Sequence, residues 1–145
     1  MTSMFVGLPV TDLERSKKFY EAVGLTINPA MSDHNAVCVI VEPDHSFIML
    51  MLREFFQTFT DLPIGDPAKS PATSTSIFLD SREAVDKAAD AGLAVGAAEP
   101  RPASDYGFMY QRGLTDPDGN SIEFGWFDPA AGADPAAAAG AHQQA

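Results

Sequence analysis

The feature that most constrains this chain is a pattern that occurs twice. Met4-Phe5-Val6-Gly7-Leu8-Pro9-Val10 reads as a short strand, and Thr11-Asp12-Leu13-Glu14 follows with the spacing of a helix capping box. Leu13, Ser16, Phe19, Tyr20 and Val23 then recur on one helical face, Gly24 ends the helix, and Leu25-Thr26-Ile27 opens a strand that Asn28-Pro29 breaks. The scheme returns with the strand Thr75–Leu79, with Asp80-Ser81-Arg82-Glu83 as a second helix start, with a helix to about Ala91, and with Gly92-Leu93-Ala94-Val95 in the place of Gly24-Leu25-Thr26-Ile27. A repeat of this kind fixes architecture before any single residue does.

Each helix is followed by strand-like segments rather than by another helix. In the first half these are Ala36–Val41 and Ser46–Leu52, with a turn at Glu42-Pro43-Asp44-His45. In the second half they are Phe108–Leu114 and Ser121–Phe127, joined by Asp116-Pro117-Asp118-Gly119-Asn120, which suits a type I turn followed by a left-handed glycine. The expectation is an α+β fold of two β-α-β-β-β modules, repeats of about 3–53 and 73–127, forming a curved mixed sheet with helices on its outer face. A Pro/Gly-rich connector over 54–72 carries a short helix at Glu54–Phe59. Together these make one domain, 1–127. The Ala/Pro-rich segment 128–145, with His142 in it, reads as a loosely ordered tail.

Composition narrows the partners. Nine Lys and Arg stand against 20 Asp and Glu, a net charge of −11, which argues against nucleic acid and against an anionic membrane surface. No apolar run approaches the roughly 20 residues of a membrane span, and a cytoplasmic protein is expected. The single cysteine, Cys38, lies in an apolar run and reads as a buried small hydrophobe.

Strand periodicity assigns faces. Met4, Val6, Leu8 and Val10, then Ile48, Leu50 and Leu52, and finally Ile122, Phe124 and Trp126 should pack on helices. The opposite, concave face then receives Phe5, Phe47, Met49, Met51, Ser74, Glu123 and Phe127, with Tyr110 and Arg112 joining from the seventh strand. This apolar and aromatic set with few polar groups suits a small-molecule site. Glu123 is the candidate catalytic residue. It reads either as a structural pair with Arg112 or another arginine, or as a group that orients a ligand or takes a proton.

The segment Val10-Thr11-Asp12-Leu13-Glu14-Arg15-Ser16, with Phe19-Tyr20 and Gly24-Leu25, resembles the opening signature of the vicinal oxygen chelate superfamily of glyoxalases, bleomycin-resistance proteins and extradiol dioxygenases. Asp116-Pro117-Asp118-Gly119-Asn120-Ser121-Ile122-Glu123-Phe124 resembles its closing signature. The resemblance implies a homodimer. It also implies that a metalloenzyme of the family would place divalent-metal ligands on the first, fourth, fifth and eighth strands. Those positions fall here on Phe5, on Met49 or Met51, near Ser74 and on Glu123, so only Glu123 is a ligand of the expected type. His34 and His45 sit in turn-like surroundings. The reading is a small-molecule binder of the bleomycin-resistance or sequestration type, with no cofactor and no metal. A glyoxalase-type lyase, isomerase or dioxygenase using a divalent metal is the alternative, and a non-catalytic interaction subunit is a second one.

Overall fold

A computed structural model describes residues 1–131. The expectations for the tail beyond residue 131, including His142, lie outside the described residues. Strands β1 (Met4–Val10), β2 (Thr26–Asn28), β3 (Ala36–Glu42) and β4 (Ser46–Leu52) form one sheet in the order β1-β4-β3-β2. Strands β5 (Ser74–Phe78), β6 (Ser104–Asp105), β7 (Met109–Thr115) and β8 (Ser121–Phe127) form a second in the order β5-β8-β7-β6. In each sheet the first strand of the module pairs parallel with the last, and the remaining pairs are antiparallel. Helix α1 (Leu13–Ala22) belongs to the first module and α3 (Arg82–Leu93) to the second; the connector carries the one-turn helix α2 (Arg53–Phe56), continued by a 3-10 turn over Gln57–Phe59.

Both long helices are capped, each one residue later than the sequence suggests. Asp12, not Thr11, accepts from the Arg15 amide at 3.0 Å, and Ser81, not Asp80, accepts from the Ala84 amide at 3.0 Å. Thr11 is engaged elsewhere, as described below. Gly24 ends α1 with φ of +102°, as expected of a C′ glycine. Gly92 does not play that part. It lies inside α3, buried, and a Cβ there would stand 3.0 Å from both Phe19 and Leu114, so it is the site where α3 crosses α1. The left-handed glycine after α3 is Gly96, with φ of +104°. The strand expected at Leu93-Ala94-Val95 is accordingly displaced and broken up: Ala98 makes an isolated bridge to Thr115, and the paired strand is β6.

The core is a single cluster contributed by both modules. Leu8 and Val10 of β1, Phe19 and Tyr20 of α1, Ile48 and Leu50 of β4, Val85 and Ala89 of α3, and Leu114, Ile122 and Phe124 of β7 and β8 are all buried in it. The parity anticipated for β1, β4 and β8 therefore places Val6, Leu8, Val10, Ile48, Leu50, Ile122, Phe124 and Trp126 in or against the core, while Met4 at the start of β1 is 60% exposed and Leu52 at the end of β4 lies outside the cluster. Cys38 is buried as expected, and burial pushes its thiol pKa up.

A polar network closes the junction of the modules. The buried Asp116 carboxylate accepts from the Tyr20 hydroxyl at 2.8 Å, from Asn120 Nδ2 at 3.1 Å, and from the amides of Asp118 and Asn120 at 2.9 Å each. Asp118 accepts from the Thr11 amide and hydroxyl, from Arg15 and from the Ser16 hydroxyl. Gly119, with φ of +88°, lets the turn pass. Removing the Tyr20 hydroxyl leaves a buried carboxylate short of one donor, so Tyr20→Phe should cost about 1–3 kcal/mol in a urea titration while leaving the apolar core filled; a change under about 0.3 kcal/mol would mean the bond is not part of what holds the modules together.

Candidate functional site

Because α1 and α3 cover one side of each sheet, the chemistry available to a ligand lies on the other side. On the first sheet the register puts Phe5 opposite Phe47, Gly7 opposite Met49, and Ala36, Cys38 and Ile40 opposite Met51, Met49 and Phe47, so these residues share the face turned away from α1. The Phe5 and Phe47 rings stack at 4.7 Å between centroids, and Phe5 remains 47% exposed. A Cβ on Gly7 would lie 2.6 Å from the Met51 methyl, so this glycine gives the methionine room to lie across the strand.

On the second sheet Ser74, Ser76 and Phe78 of β5 stand beside Ser121, Glu123 and Gly125 of β8. The Phe78 ring lies over Gly125, where a Cβ would meet it at 2.6 Å, and stacks on Phe127 at 4.5 Å with 8° between the planes. Glu123 Oε2 accepts from the Ser76 hydroxyl at 2.8 Å. On its other side the Glu123 side chain lies beside Gly113 of β7, where a Cβ would stand 3.7 Å from its Cγ and 4.0 Å from Oε1, and among the described residues no cation pairs with the carboxylate. Ser74, the fifth-strand residue singled out in the sequence, instead shares a 3.0 Å hydrogen bond with Ser121. Phe78 and Ser76 are the residues the sequence reading missed; both follow from strand parity once the β5–β8 register is known.

Tyr110 and Arg112 belong to the opposite side, which corrects the expectation for them. They pair with Trp126 and Phe124, the helix-facing residues of β8. The Tyr110 hydroxyl donates to Asp86 of α3 at 2.6 Å, and Arg112 reaches Asp86 and Asp90 of α3 and Glu99 at 2.9–3.1 Å. The pairing of Glu123 with Arg112 is thereby overturned. The residues of β7 that share the face of Glu123 are Gln111 and Gly113. Arg82 completes the helix side, lying 5.1 Å from the Tyr110 and Trp126 ring centroids and gripping Asp105 through two bonds of 2.7 and 2.8 Å.

The donor set on the open faces does not suit a divalent metal. Phenylalanine offers no ligand atom, a thioether is a poor one for hard or borderline ions, and the serine hydroxyls are bonded to Ser121 and to Glu123 itself. His34 and His45 are exposed at the ends of β3 and the β3–β4 turn. Among the described residues no group of three or more His, Cys, Asp or Glu side chains is placed to hold a metal ion.

Comparison with known proteins places this geometry. Residues 2–42 match the family described as bleomycin resistance protein-like N-terminal. A hypothetical protein from S. aureus is 26% identical over 84% of this chain and 91% of its own, with a TM-score of 0.70. A glyoxalase-related enzyme from Fulvimarina pelagi is 20% identical over 86% of each chain, TM-score 0.72. TnmS3, an antibiotic binding protein from Streptomyces sp. CB03234, is 22% identical over 87% of this chain and 95% of its own, TM-score 0.61. No curated protein matches the chain. The chain shares the fold of these glyoxalase-related and antibiotic-binding proteins. Within it, the first module is the part that carries the bleomycin-resistance-like match. Among the described residues no helix is long and apolar enough to cross a membrane.

Two outcomes test the side assignments. Arg112→Ala leaves Asp86, Asp90 and Glu99 without their shared cation, and with the Arg112 side chain only 12% exposed the loss should be about 1–3 kcal/mol. Glu123→Gln, which can still accept from Ser76, should change stability by less than about 0.5 kcal/mol in the same titration. On the alkaline side, the bond to Asp86 holds the Tyr110 pKa up to about 12, and burial holds that of Tyr20 well above the ordinary phenol value. The folded chain thus keeps phenol protons that the unfolded chain releases near pH 10, so stability should fall as pH rises from about 10 toward 12. Ultraviolet absorbance should place Tyr110 ionisation near the top of that window in the folded protein and lower in Asp86→Ala.

Proposed function

We propose that this protein binds a small organic molecule on the sheet faces turned away from the helices, without a metal, in the manner of a bleomycin-resistance or sequestration protein. The observation that carries the reading is the pair of stacked aromatic platforms, Phe5–Phe47 and Phe78–Phe127, together with one carboxylate, Glu123, that no described cation pairs. Flat rings offer a planar ligand extensive contact, polarizable methionines adapt to its outline, and the carboxylate selects for a positive charge or a hydrogen-bond donor. The net charge of −11 draws cations toward the protein. That one structurally similar protein is described as antibiotic binding agrees with this reading.

The same surfaces favour a homodimer. A chain by itself exposes Phe5 and Phe78 to water, and a second copy would shelter those rings and turn two open faces into a cup. The protein acts in the cytoplasm on this reading, removing its ligand from solution by holding it.

Thermal-shift measurements on the intact protein with planar aromatic cations, neutral aromatics and glutathione conjugates, each with and without Mn²⁺, Ni²⁺ and Zn²⁺, test the proposal. A compound alone should raise the melting temperature, with about 2.7 kcal/mol of added stability at a hundredfold excess over Kd. Glu123→Gln should weaken a cationic ligand about tenfold or more while leaving a neutral aromatic within about threefold. Shifts that appear only with metal would establish the lyase or dioxygenase alternative in its place, and no shift with any compound would leave an interaction subunit.

A further inference from the structure

A second hollow lies away from the stacked rings and from Glu123. It has a volume of about 430 Å³ and runs between the free edge of β1 at Gly7–Pro9 and the connector, with Phe56, Leu62 and Ile64 forming its apolar wall. That volume is within the range of small-molecule sites. The wall is built rather than draped. Arg53 donates to the carbonyls of Gly65 and Ile64, and Gln57 Nε2 donates to those of Thr60 and Leu62 at 2.9 Å each. The far end of the connector rests against the β7–β8 turn, where a Cβ on Gly119 would stand 2.7 Å from Ala68.

Two properties of the hollow select a ligand. First, in a chain with 29 charged side chains, none of the residues lining this hollow is ionisable. An ion entering it would lose hydration with no ionisable side chain in the lining to replace the water, the guanidinium behind the wall, Arg53, being taken up by the Gly65 and Ile64 carbonyls. Second, the floor offers one backbone donor beside one acceptor. The sheet order leaves β1 at an edge, and the Pro9 carbonyl points away from β4, accepting from Asn120 Nδ2 at 3.5 Å. Strand alternation then turns the N–H and C=O of Gly7 to the same outward side, while Pro9 has no N–H to add. Gly7 is exposed and lines the hollow, and the hydroxyls of Thr60, Ser70 and Thr73 stand around it.

We infer that this hollow is a binding site for an uncharged, largely apolar molecule bearing a carboxamide or lactam group. Such a group presents an acceptor to the Gly7 N–H and a donor to the Gly7 C=O. A carboxylate presents only acceptors and an amidinium only donors, so each leaves one Gly7 group unmatched and brings a charge into an uncharged wall.

Benzamide, benzoate and benzamidine share a ring and differ in this group alone. Amide-resolved ¹H–¹⁵N spectra of the full chain titrated with each should show benzamide moving the Gly7 and Thr73 signals saturably, with an affinity at least tenfold above either charged analogue. Ala72→Trp, at an exposed lining position, should remove that response, and Leu62→Trp, at the mouth, should weaken it in a chain whose remaining signals are unchanged. Equal responses to the three compounds, signals that move only around Phe127 and Glu123, or a benzamide response that survives both substitutions would overturn the inference. Because the readout is the Gly7 edge, its failure is separate from failure of the aromatic faces to bind.

Discussion

The rest of the structure depends on one buried carboxylate. Taking an ionised Asp116 out of water is costly, and desolvation is the main reason its pKa is raised, with four donated hydrogen bonds acting in the opposite direction. One of those donors, Tyr20, comes from the first module, while Asp118 of the same turn ties down Thr11, Arg15 and Ser16 at the start of α1. The two signature segments, a hundred residues apart in the chain, are thus the two halves of one joint. Their residue types are required by what each must donate or accept there.

With the joint closed, α1 and α3 meet at Gly92, and one face of each helix joins a shared core. Each sheet has then spent one face on the core and has the other to offer. Small residues on that other face decide its texture. Gly7 makes way for Met51, Gly125 lets the Phe78 ring lie flat on the strand, and Gly113 sets no side chain beside that of Glu123. Among the described residues that face carries flat rings, thioethers and one acid, Glu123, and the two described histidines lie in exposed turns.

Most of the fold was legible because its signals are local. Strand parity assigns Ile48, Leu50, Ile122 and Phe124 to the core, although only β8 alternates apolar with small or polar residues and β4 is apolar from Phe47 to Leu52. The failures have physical causes. Met109-Tyr110-Gln111-Arg112-Gly113 has no clean apolar alternation, since Tyr110 and Arg112 lay their apolar parts against α3 while their polar ends reach acids on it. The signal was present in Asp86 and Asp90, four residues apart on one face of α3. Gly92 looked like a helix terminus because it aligns with Gly24, yet a buried glycine at a helix crossing and a left-handed glycine after a helix are the same letter. The partner of Glu123 was out of reach for a different reason: β5 pairs with β8 across 47 residues, and nothing local fixes whether Ser74 or Ser76 comes to lie beside it.

The central claim is that the open faces recognise a molecule through rings and one acid rather than through a metal. The most direct measurement is a crystal structure of the intact protein soaked in parallel with Ni²⁺ and with a planar aromatic cation. The account predicts the cation stacked on the aromatic platforms with its charge toward Glu123, and no nickel bound by protein donors on either open face. A nickel ion seated on Glu123 with two further protein ligands would contradict it.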